Sequence, residues 1–128
     1  MSAIRNIKLG DRVIGDGQPT YIVAEIGSNF DRSLEQAKKL VNLAKDAGAD
    51  AVKFQSFLAD RIVSEDGFKN LKVSFQAKWK KSVYKVYKQA EFPRKWHQEI
   101  AEYCRKREIA FFSTPYDKEA VDLLDEIG

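Results

Sequence analysis

The stretch that decides the fold is Thr20-Tyr-Ile-Val-Ala-Glu-Ile-Gly-Ser-Asn29. Residues 21–25 are apolar except for Glu25 and include no Gly or Pro, so they predict a strand buried on both faces, as in a parallel sheet. Glu25 breaks this pattern, because an unpaired carboxylate inside a sheet is strongly destabilising or shifts its pKa. We therefore expect Glu25 to lie at the rim of the sheet, facing a ligand.

A polar loop and a helix follow this strand. Ser33 and Gln36 have the spacing of a capping box, in which the Ser33 hydroxyl accepts from the Gln36 backbone N–H and the Gln36 side chain bonds back. Gly48 favours the left-handed conformation that ends a helix. The apolar residues between these limits recur at helical spacing: Leu34, Ala37, Leu40, Val41, Ala44 and Ala47. A second strand over residues 50–55 completes a βαβ unit, which requires the two strands to be parallel.

The second half of the chain repeats the alternation. Pro93 occupies a first helical position. The apolar face of that helix contains Trp96, Ile100, Tyr103 and Cys104. A third strand over residues 109–114 ends at Pro115, and Asp117 caps a last helix. The apolar face of the last helix contains Ala120, Val121, Leu124 and Ile127.

Residues 6–14, before the first strand, predict a small hairpin. Its two-residue turn is Gly10-Asp11, with Ile7 and Leu9 facing Val13 and Ile14. The chain therefore divides into a hairpin and linker at residues 1–19 and three βα units at residues 20–128. Three βα units that end where a fourth strand would begin predict the α/β class, and the first part of a larger fold.

Composition excludes several classes of protein. The chain has 128 residues and a net charge of +3, which fits one domain and does not point to nucleic acid. No apolar run reaches the roughly 20 residues that span a bilayer. Cys104 is the single cysteine, so no intramolecular disulfide can form, and a reducing cytoplasm is the expected location. With one His and one Cys, the chain cannot build a metal site from nitrogen and sulfur ligands alone.

Residues 56–91 carry a weaker signal, for which we predict an irregular segment through Phe75 and a helix over residues 79–89. Lysines and aromatic residues alternate here: Lys69, Lys72, Lys78, Lys80, Lys81, Lys85 and Lys88, with Phe68, Phe75, Trp79, Tyr84 and Tyr87. A solvated helix face or a subunit contact is the favoured interpretation. The alternatives are a surface that gathers anionic substrate and, least favoured, a groove for nucleic acid bases.

Polar side chains meet where the predicted strands end. Lys53 and Gln55 lie two residues apart on one strand and therefore share a face. Glu25 ends the first strand, and Ser113 and Thr114 end the third. Because ligands of parallel α/β folds gather at the carboxyl ends of strands, this set predicts a site for a small oxygen-rich anion. The structural alternatives are a Glu25–Lys53 ion pair, a loop anchored by Gln55, and a strand stopped by Pro115.

Three ordered motifs carry a resemblance to a known family: Ala24-Glu-Ile-Gly-Ser-Asn29, Ala47-Gly-Ala-Asp-Ala-Val-Lys-Phe-Gln55 and Phe112-Ser-Thr-Pro115. The chain resembles the N-terminal part of the N-acetylneuraminate (sialic acid) synthase family, which includes legionaminate and pseudaminate synthases and spore-coat polysaccharide homologues. The resemblance implies the N-terminal part of a TIM (β/α)₈ barrel, in which the hairpin caps the barrel bottom and three βα units follow.

The resemblance also implies a reaction. Family members condense phosphoenolpyruvate with an open-chain N-acetylated amino sugar, releasing phosphate and forming a nine-carbon α-keto acid for surface or spore-coat polysaccharide. By resemblance, Glu25 is the catalytic carboxylate beside the sugar aldehyde, and Lys53 and Thr114 bind phosphoenolpyruvate. Gln55 positions substrate. Ser113 and Asn29 are assigned to the same site.

The resemblance further implies a divalent metal, Mn²⁺ or Mg²⁺, in the full-length enzyme, with ligands outside this chain. A homo-oligomer is expected, without nucleic acid or membrane partners, and the 128-residue chain alone is expected to be inactive. The family often has His where this chain has Phe30, and His97 matches neither metal-binding histidine of the family. We expect His97 at the surface or between helices.

A non-catalytic module that binds a phosphorylated ligand or a protein partner is the alternative. Three strands leave two open edges and uncovered apolar surface, so Phe111 and Phe112 are expected to be exposed.

Overall fold

A computed structural model describes residues 6–69 and 78–128 of the chain, which form a small hairpin and a three-stranded parallel sheet with helices. The predictions made for Lys72 and Phe75 lie outside the described residues. None of the helices in the described ranges is long and apolar enough to cross a membrane.

The hairpin pairs β1 (Ile7–Leu9) with β2 (Arg12–Ile14). Gly10 has φ +57°, as its place in the two-residue turn requires. The register pairs Ile7 with Ile14, as predicted, and Leu9 with Arg12, so the predicted place of Val13 opposite this apolar pair is wrong. Val13 pairs with Lys8 instead, because neighbouring residues of a strand point to opposite faces.

The parallel sheet contains β3 (Val23–Gly27), β4 (Ala51–Ser56) and β5 (Ala110–Pro115), in that order. Both strand pairs are parallel, which confirms the predicted βαβ arrangement. Strand β3 begins two residues later than predicted, because the Ile22 N–H donates to the Asp50 carboxylate. It is not buried on both faces, since it is an outer strand and Val23 is 40% exposed.

Helix α1 (Leu34–Asp46) begins as predicted at Ser33, whose hydroxyl accepts from the Gln36 N–H at 3.1 Å. The predicted return bond is replaced by a backbone bond, because the Ser33 N–H donates to the Phe30 carbonyl at 2.9 Å. Gly48, with φ +88°, ends the helix, and the N–H groups of residues 48 and 49 donate to carbonyls of the last turn.

The described residues between β4 and the next long helix include α2 (Ala59–Ile62), α3 (Glu65–Lys69) and α4 (Val83–Ala90). The predicted helix over residues 79–89 therefore begins later, because the Ser82 hydroxyl caps it by accepting from the Lys85 N–H at 3.3 Å.

Pro93 precedes a 3₁₀ turn (Arg94–Trp96), and α5 (His97–Lys106) follows. Pro93 is thus the cap of the turn rather than the first residue of an α-helix. The last helix, α6 (Lys118–Ile127), begins at Asp117 as predicted, with the Ala120 N–H donating to the Asp117 carboxylate at 2.9 Å.

The core lies between the sheet and the helices α1 and α5. The rings of Phe54 and Phe92 stack with centroids 4.6 Å apart, and Phe30 packs against both. Phe30 is 1% exposed, so the residue that departs from the family pattern is a core residue here. Cys104 is buried in the same cluster, where burial raises the pKa of its thiol to about 12.

Alternate residues of each strand face opposite sides of the sheet. We call the side covered by α1 and α5 the helix face and the opposite side the open face. Phe111 lies on the helix face against Phe54, whereas Phe112 lies on the open face with its ring 6.4 Å from that of Tyr21. Both phenylalanines are partly exposed, so the predicted exposure is observed only in part.

Candidate active site

Glu25 and Lys53 form an ion pair on the open face. The two residues are register partners on β3 and β4, and Lys53 Nζ lies 2.8 Å from Glu25 Oε2. Their side chains are 45% and 40% exposed. The hydrogen bond to Glu25 raises the pKa of Lys53 above its usual value, so the amine stays cationic. The ion pair named as the structural alternative is therefore present, and its accessibility leaves both groups free to meet a ligand.

Gln55 and Thr114 form the next layer of the open face. They are register partners on β4 and β5, each the second-to-last residue of its strand. Thr114 is exposed, and Gln55 opens onto a pocket of about 360 Å³. The rest of that pocket is formed by aromatic and aliphatic residues: Phe57, Ile62, Val63, Phe68, Tyr87 and Tyr116. A cation, a carboxylate, an amide and a hydroxyl thus share one face beside a pocket of small-molecule size.

Ser113 does not join this group, because it precedes Thr114 and faces the opposite side of the sheet. Its hydroxyl contacts the hydroxyl of Ser56, which itself lies 2.6 Å from His97 Nε2. The strand places Ser113 behind the site rather than in it. The alternation that grouped Lys53 with Gln55 would also have separated Ser113 from Thr114.

Asn29 lies in the loop after β3, where its side-chain amide donates to the Ile26 carbonyl at 3.0 Å. This bond secures the turn that follows the strand. Gly27 bends the backbone there with φ +56°, and a Cβ at this position would lie 3.6 Å from Glu25 Oε1. The loop therefore passes close to the Glu25 carboxylate.

His97 is fully buried and its Nε2 lies 2.6 Å from Ser56 Oγ on β4, so the prediction of a surface or interhelix position is wrong. It lies between α5 and the end of β4, with its ring centroid 4.4 Å from that of Phe92. Burial lowers the pKa of His97 below its usual value, with a smaller contribution from Arg94. The sequence did contain a signal for this burial. His97 lies three residues before Ile100 and seven before Cys104, and residues at these spacings share one face of a helix.

In the described part of the lysine-rich stretch (residues 56–91), acidic neighbours partly neutralise the positive charge. The Tyr84 hydroxyl donates to Asp60, which lowers the pKa of that carboxyl, and Lys88 lies within ion-pair distance of Asp60 and Glu91. Tyr87 packs against Phe57 in the pocket wall rather than presenting a free ring. These contacts favour a partly solvated helix face over a nucleic acid surface.

The described residues do not fit a metal ion. Within residues 6–69 and 78–128, no group of three or more His, Cys, Asp or Glu side chains is placed to hold one. Glu25 is the carboxylate of the open-face group, and it is paired with Lys53.

A larger cavity of about 580 Å³ runs along β5 and reaches the hairpin at Leu9 and the last helix at Leu124 and Ile127. None of Glu25, Lys53, Gln55 and Thr114 lines it. We therefore place the site on the open face, from the Glu25–Lys53 pair to the ends of β4 and β5, and we regard the larger cavity as the space beside an outer strand.

Residues 40–128, more than half of the chain, match the NeuB family. The chain belongs to the NeuB family. The resemblance drawn from the three sequence motifs is thereby confirmed at the level of the family.

Two curated relatives illustrate the similarity of this NeuB-family chain. It is 43% identical over 112 residues to the N,N'-diacetyllegionaminic acid synthase of Campylobacter jejuni, covering 85% of this chain and 33% of that protein. It is 37% identical over 118 residues to the spore coat polysaccharide biosynthesis protein SpsE of Bacillus subtilis, covering 91% of this chain and 31% of that protein. The chain therefore spans about a third of the length of these relatives.

The crystal structure of an N-acetylneuraminic acid (sialic acid) synthetase from Leptospira borgpetersenii, in complex with citrate, matches with a TM-score of 0.79. The match has 31% sequence identity and covers 98% of this chain and 39% of that one. The α/β fold with a parallel sheet is thus shared with a solved structure of the family.

Proposed function

We propose that this chain is the N-terminal part of an enzyme that condenses phosphoenolpyruvate with an open-chain N-acetylated amino sugar, releasing phosphate and forming a nine-carbon α-keto acid. The observation that carries the proposal is the placement of Glu25, Lys53, Gln55 and Thr114 on one face of the sheet, in a chain whose relatives are named as synthases of such acids.

Lys53 and Thr114 suit an anionic substrate. The Lys53 amine is cationic and accessible, and it can exchange its bond with Glu25 for one with a phosphate or carboxylate oxygen. Thr114, at the end of the neighbouring strand, offers a hydroxyl donor. Gln55 lies next to Thr114 and beside the pocket, where its amide can both donate to and accept from a sugar substituent.

Glu25 suits the carboxylate of the reaction. The enol carbon of phosphoenolpyruvate attacks the aldehyde carbon, and the aldehyde oxygen takes the π electrons and a proton from solvent to become a hydroxyl. Positive charge develops at the carbon that bears the phosphate. A nearby carboxylate stabilises that charge and accepts a proton from the water that adds there. Cleavage of the carbon–oxygen bond then releases phosphate and leaves the keto group. When the substrate anion takes over Lys53, Glu25 is released from its ion pair for this role.

The proposal extends to a (β/α)₈ barrel that this chain would begin. Two observations support it: β3 and β5 are the outer strands of the described sheet, and the cavity of about 580 Å³ lies along β5, where a further strand would pair. The chain spans only a third of the relatives, so the isolated chain is proposed to be inactive. The proposal includes a divalent cation, Mn²⁺ or Mg²⁺, held by residues outside this chain.

The test uses a completed enzyme, in which this chain replaces the matching region of the Campylobacter jejuni N,N'-diacetyllegionaminic acid synthase. With phosphoenolpyruvate, Mn²⁺ and a panel of N-acetylated amino sugars, we expect phosphate release with at least one sugar. Glu25→Gln should lower kcat by about 100-fold or more. Glu35→Gln, an exposed carboxylate on α1, is the matched control and should leave the rate unchanged.

Two results would contradict the proposal. A folded completed enzyme that releases no phosphate with any sugar would contradict the proposed reaction. An active Glu25→Gln variant would contradict the proposed role of that carboxylate. Tight binding of phosphoenolpyruvate by the 128-residue chain, combined with an inactive completed enzyme, would favour the binding-module alternative.

A further inference from the structure

The most buried polar cluster of the described residues lies behind the proposed site, on the helix face. Ser56 and His97 are both fully buried, and Ser113 contacts Ser56. The reaction proposed above uses none of these three side chains. Their contacts form a chain that runs from the start of α5 to the ends of β4 and β5.

The direction of each hydrogen bond in this cluster follows from its first member. His97 Nδ1 lies 3.1 Å from the Pro93 carbonyl oxygen, which can only accept, so Nδ1 carries a proton. Burial keeps the imidazole neutral, and Nε2 is therefore an acceptor. The Ser56 hydroxyl, 2.6 Å away, donates to Nε2 and in turn accepts from the Ser113 hydroxyl. Each hydroxyl has one proton, so this order is the arrangement that satisfies all three bonds.

The same two serines flank the residues of the open face. Ser56 directly follows Gln55, and Ser113 directly precedes Thr114. Gln55 and Thr114 are register partners, so the bond between the serine hydroxyls joins the two strand ends immediately behind that pair. The bond also holds β5, an outer strand of the described sheet, to the central strand β4.

We propose that His97 is a positioning residue, which fixes the ends of β4 and β5 through Ser56 and Ser113 and thereby sets the geometry of Gln55 and Thr114. The hydrogen-bond chain itself is a property of the fold, whereas its effect on substrate rests on the function proposed above. In the proposed function Gln55 and Thr114 contact substrate, so a small loosening of these strand ends should be measurable as a higher KM.

The hydrogen-bond order can be tested without substrate. His97 is the single histidine of the 128 residues, so the side-chain ¹⁵N spectrum of this chain contains one imidazole. At pH 7 we expect the neutral tautomer with the proton on Nδ1, and Ser56→Ala should shift the Nε2 resonance by removing its donor. A proton on Nε2, a protonated ring at pH 7, or an Nε2 resonance unaffected by Ser56→Ala would overturn the proposal.

The positioning role is tested in the completed enzyme with two substitutions. His97→Leu removes the acceptor for Ser56, and we expect a KM for phosphoenolpyruvate about fivefold to tenfold higher, with kcat within about twofold. His97→Gln retains an acceptor oxygen and should restore KM to within about twofold of the unsubstituted value. Adding Ser56→Ala to His97→Leu should raise KM by less than the sum of the two single effects, because both changes break the His97–Ser56 bond and only Ser56→Ala also removes the bond to Ser113.

Ile100→Val is the matched control, a buried change on the same helix at a residue that is not a member of the hydrogen-bond chain. It should lower the unfolding temperature and leave KM unchanged. If His97→Leu also lowers the unfolding temperature without changing KM, the positioning role is wrong while the proposed reaction stands. An inactive unsubstituted enzyme would instead contradict the proposed reaction, and the imidazole spectrum would still test the hydrogen-bond order.

Discussion

The two faces of the parallel sheet are made by alternate residues of the same strands, yet they differ in burial and in the charge of their side chains. On the helix face, Phe54 is fully buried and stacks on Phe92, and the polar groups Ser56 and His97 have partners. On the open face, Lys53 and Glu25 form an ion pair, and both side chains are about half exposed.

This difference separates the residues that hold the fold from those that carry the proposed chemistry. The helix face buries apolar area and gives the buried side chains of Ser56 and His97 hydrogen-bond partners, which is what stability requires. The open face keeps charged and polar groups accessible, which is what a ligand requires. Apolar substitutions on the helix face should therefore mainly lower stability, and substitutions of the polar groups on the open face should mainly weaken ligand binding.

The sharpest test of the comparison is a pair of phenylalanine substitutions. Phe54→Ala should lower the free energy of unfolding by about 3–5 kcal/mol, because it empties the centre of the aromatic cluster. Phe112→Ala, on the neighbouring strand but on the open face, should cost about 1 kcal/mol, because its ring is already partly exposed. Urea unfolding followed by circular dichroism measures both, and equal losses would contradict the distinction between the faces.

The pH dependence of stability should come partly from the helix face. The pKa of His97 is lowered from 6.5 in the folded chain, mainly by burial. Below about pH 6.5 the unfolded state therefore binds more protons, and stability falls as pH decreases, by at most about 1.4 kcal/mol per pH unit. His97→Gln should lose this component.

Urea unfolding at a series of pH values from 5 to 8 checks this prediction. The carboxyl groups titrate in both proteins, so the difference between the two pH profiles isolates His97. Identical profiles would show that His97 has the same pKa in the folded and unfolded states.

The start of α1 offers a smaller effect, since this helix covers the helix face. Ser33→Ala removes the acceptor for the Gln36 N–H and should lower the free energy of unfolding by about 1 kcal/mol. Ser33→Asp retains an acceptor oxygen and should be nearly neutral. Thermal unfolding distinguishes the two variants, and equal losses would mean that the cap contributes nothing specific.

The smallest effect on stability is expected at the site itself. Lys53→Met removes the ion pair with Glu25, and the unfolding temperature should stay within about 2 °C because an accessible pair contributes little. In the completed enzyme the same change should raise the KM for phosphoenolpyruvate. A stability loss comparable to that of Phe54→Ala would show that the open-face pair is structural.

Much of the fold was predictable because its signals are local. Ser33, Asp117 and Gly48 mark helix ends through bonds to residues at most a few positions away. The βαβ order follows from the alternation of strand and helix patterns. The limits of β3 were less predictable, because the strand start depends on the bond between Ile22 and Asp50, which are far apart in sequence.

The site was predictable in part. Glu25, Lys53, Gln55 and Thr114 lie on one face of the sheet, whereas Ser113 faces the helices. The prediction that Glu25 ends its strand is wrong, because β3 continues to Gly27 and Glu25 is its middle residue. The position of His97 was predicted wrongly, because the sequence of an amphipathic helix does not show that the sheet supplies a hydrogen-bond partner, here the Ser56 hydroxyl.

The sequence by itself determined which residues alternate in each strand, where the helices begin, and the family to which the motifs point, since all three depend on neighbours along the chain. Only the tertiary structure decided that Ser113 bonds to Ser56, that His97 is buried and partnered, and that Phe30 belongs to the core. These outcomes depend on which strand pairs with which and on which helix covers them, and each of those contacts joins residues distant in sequence.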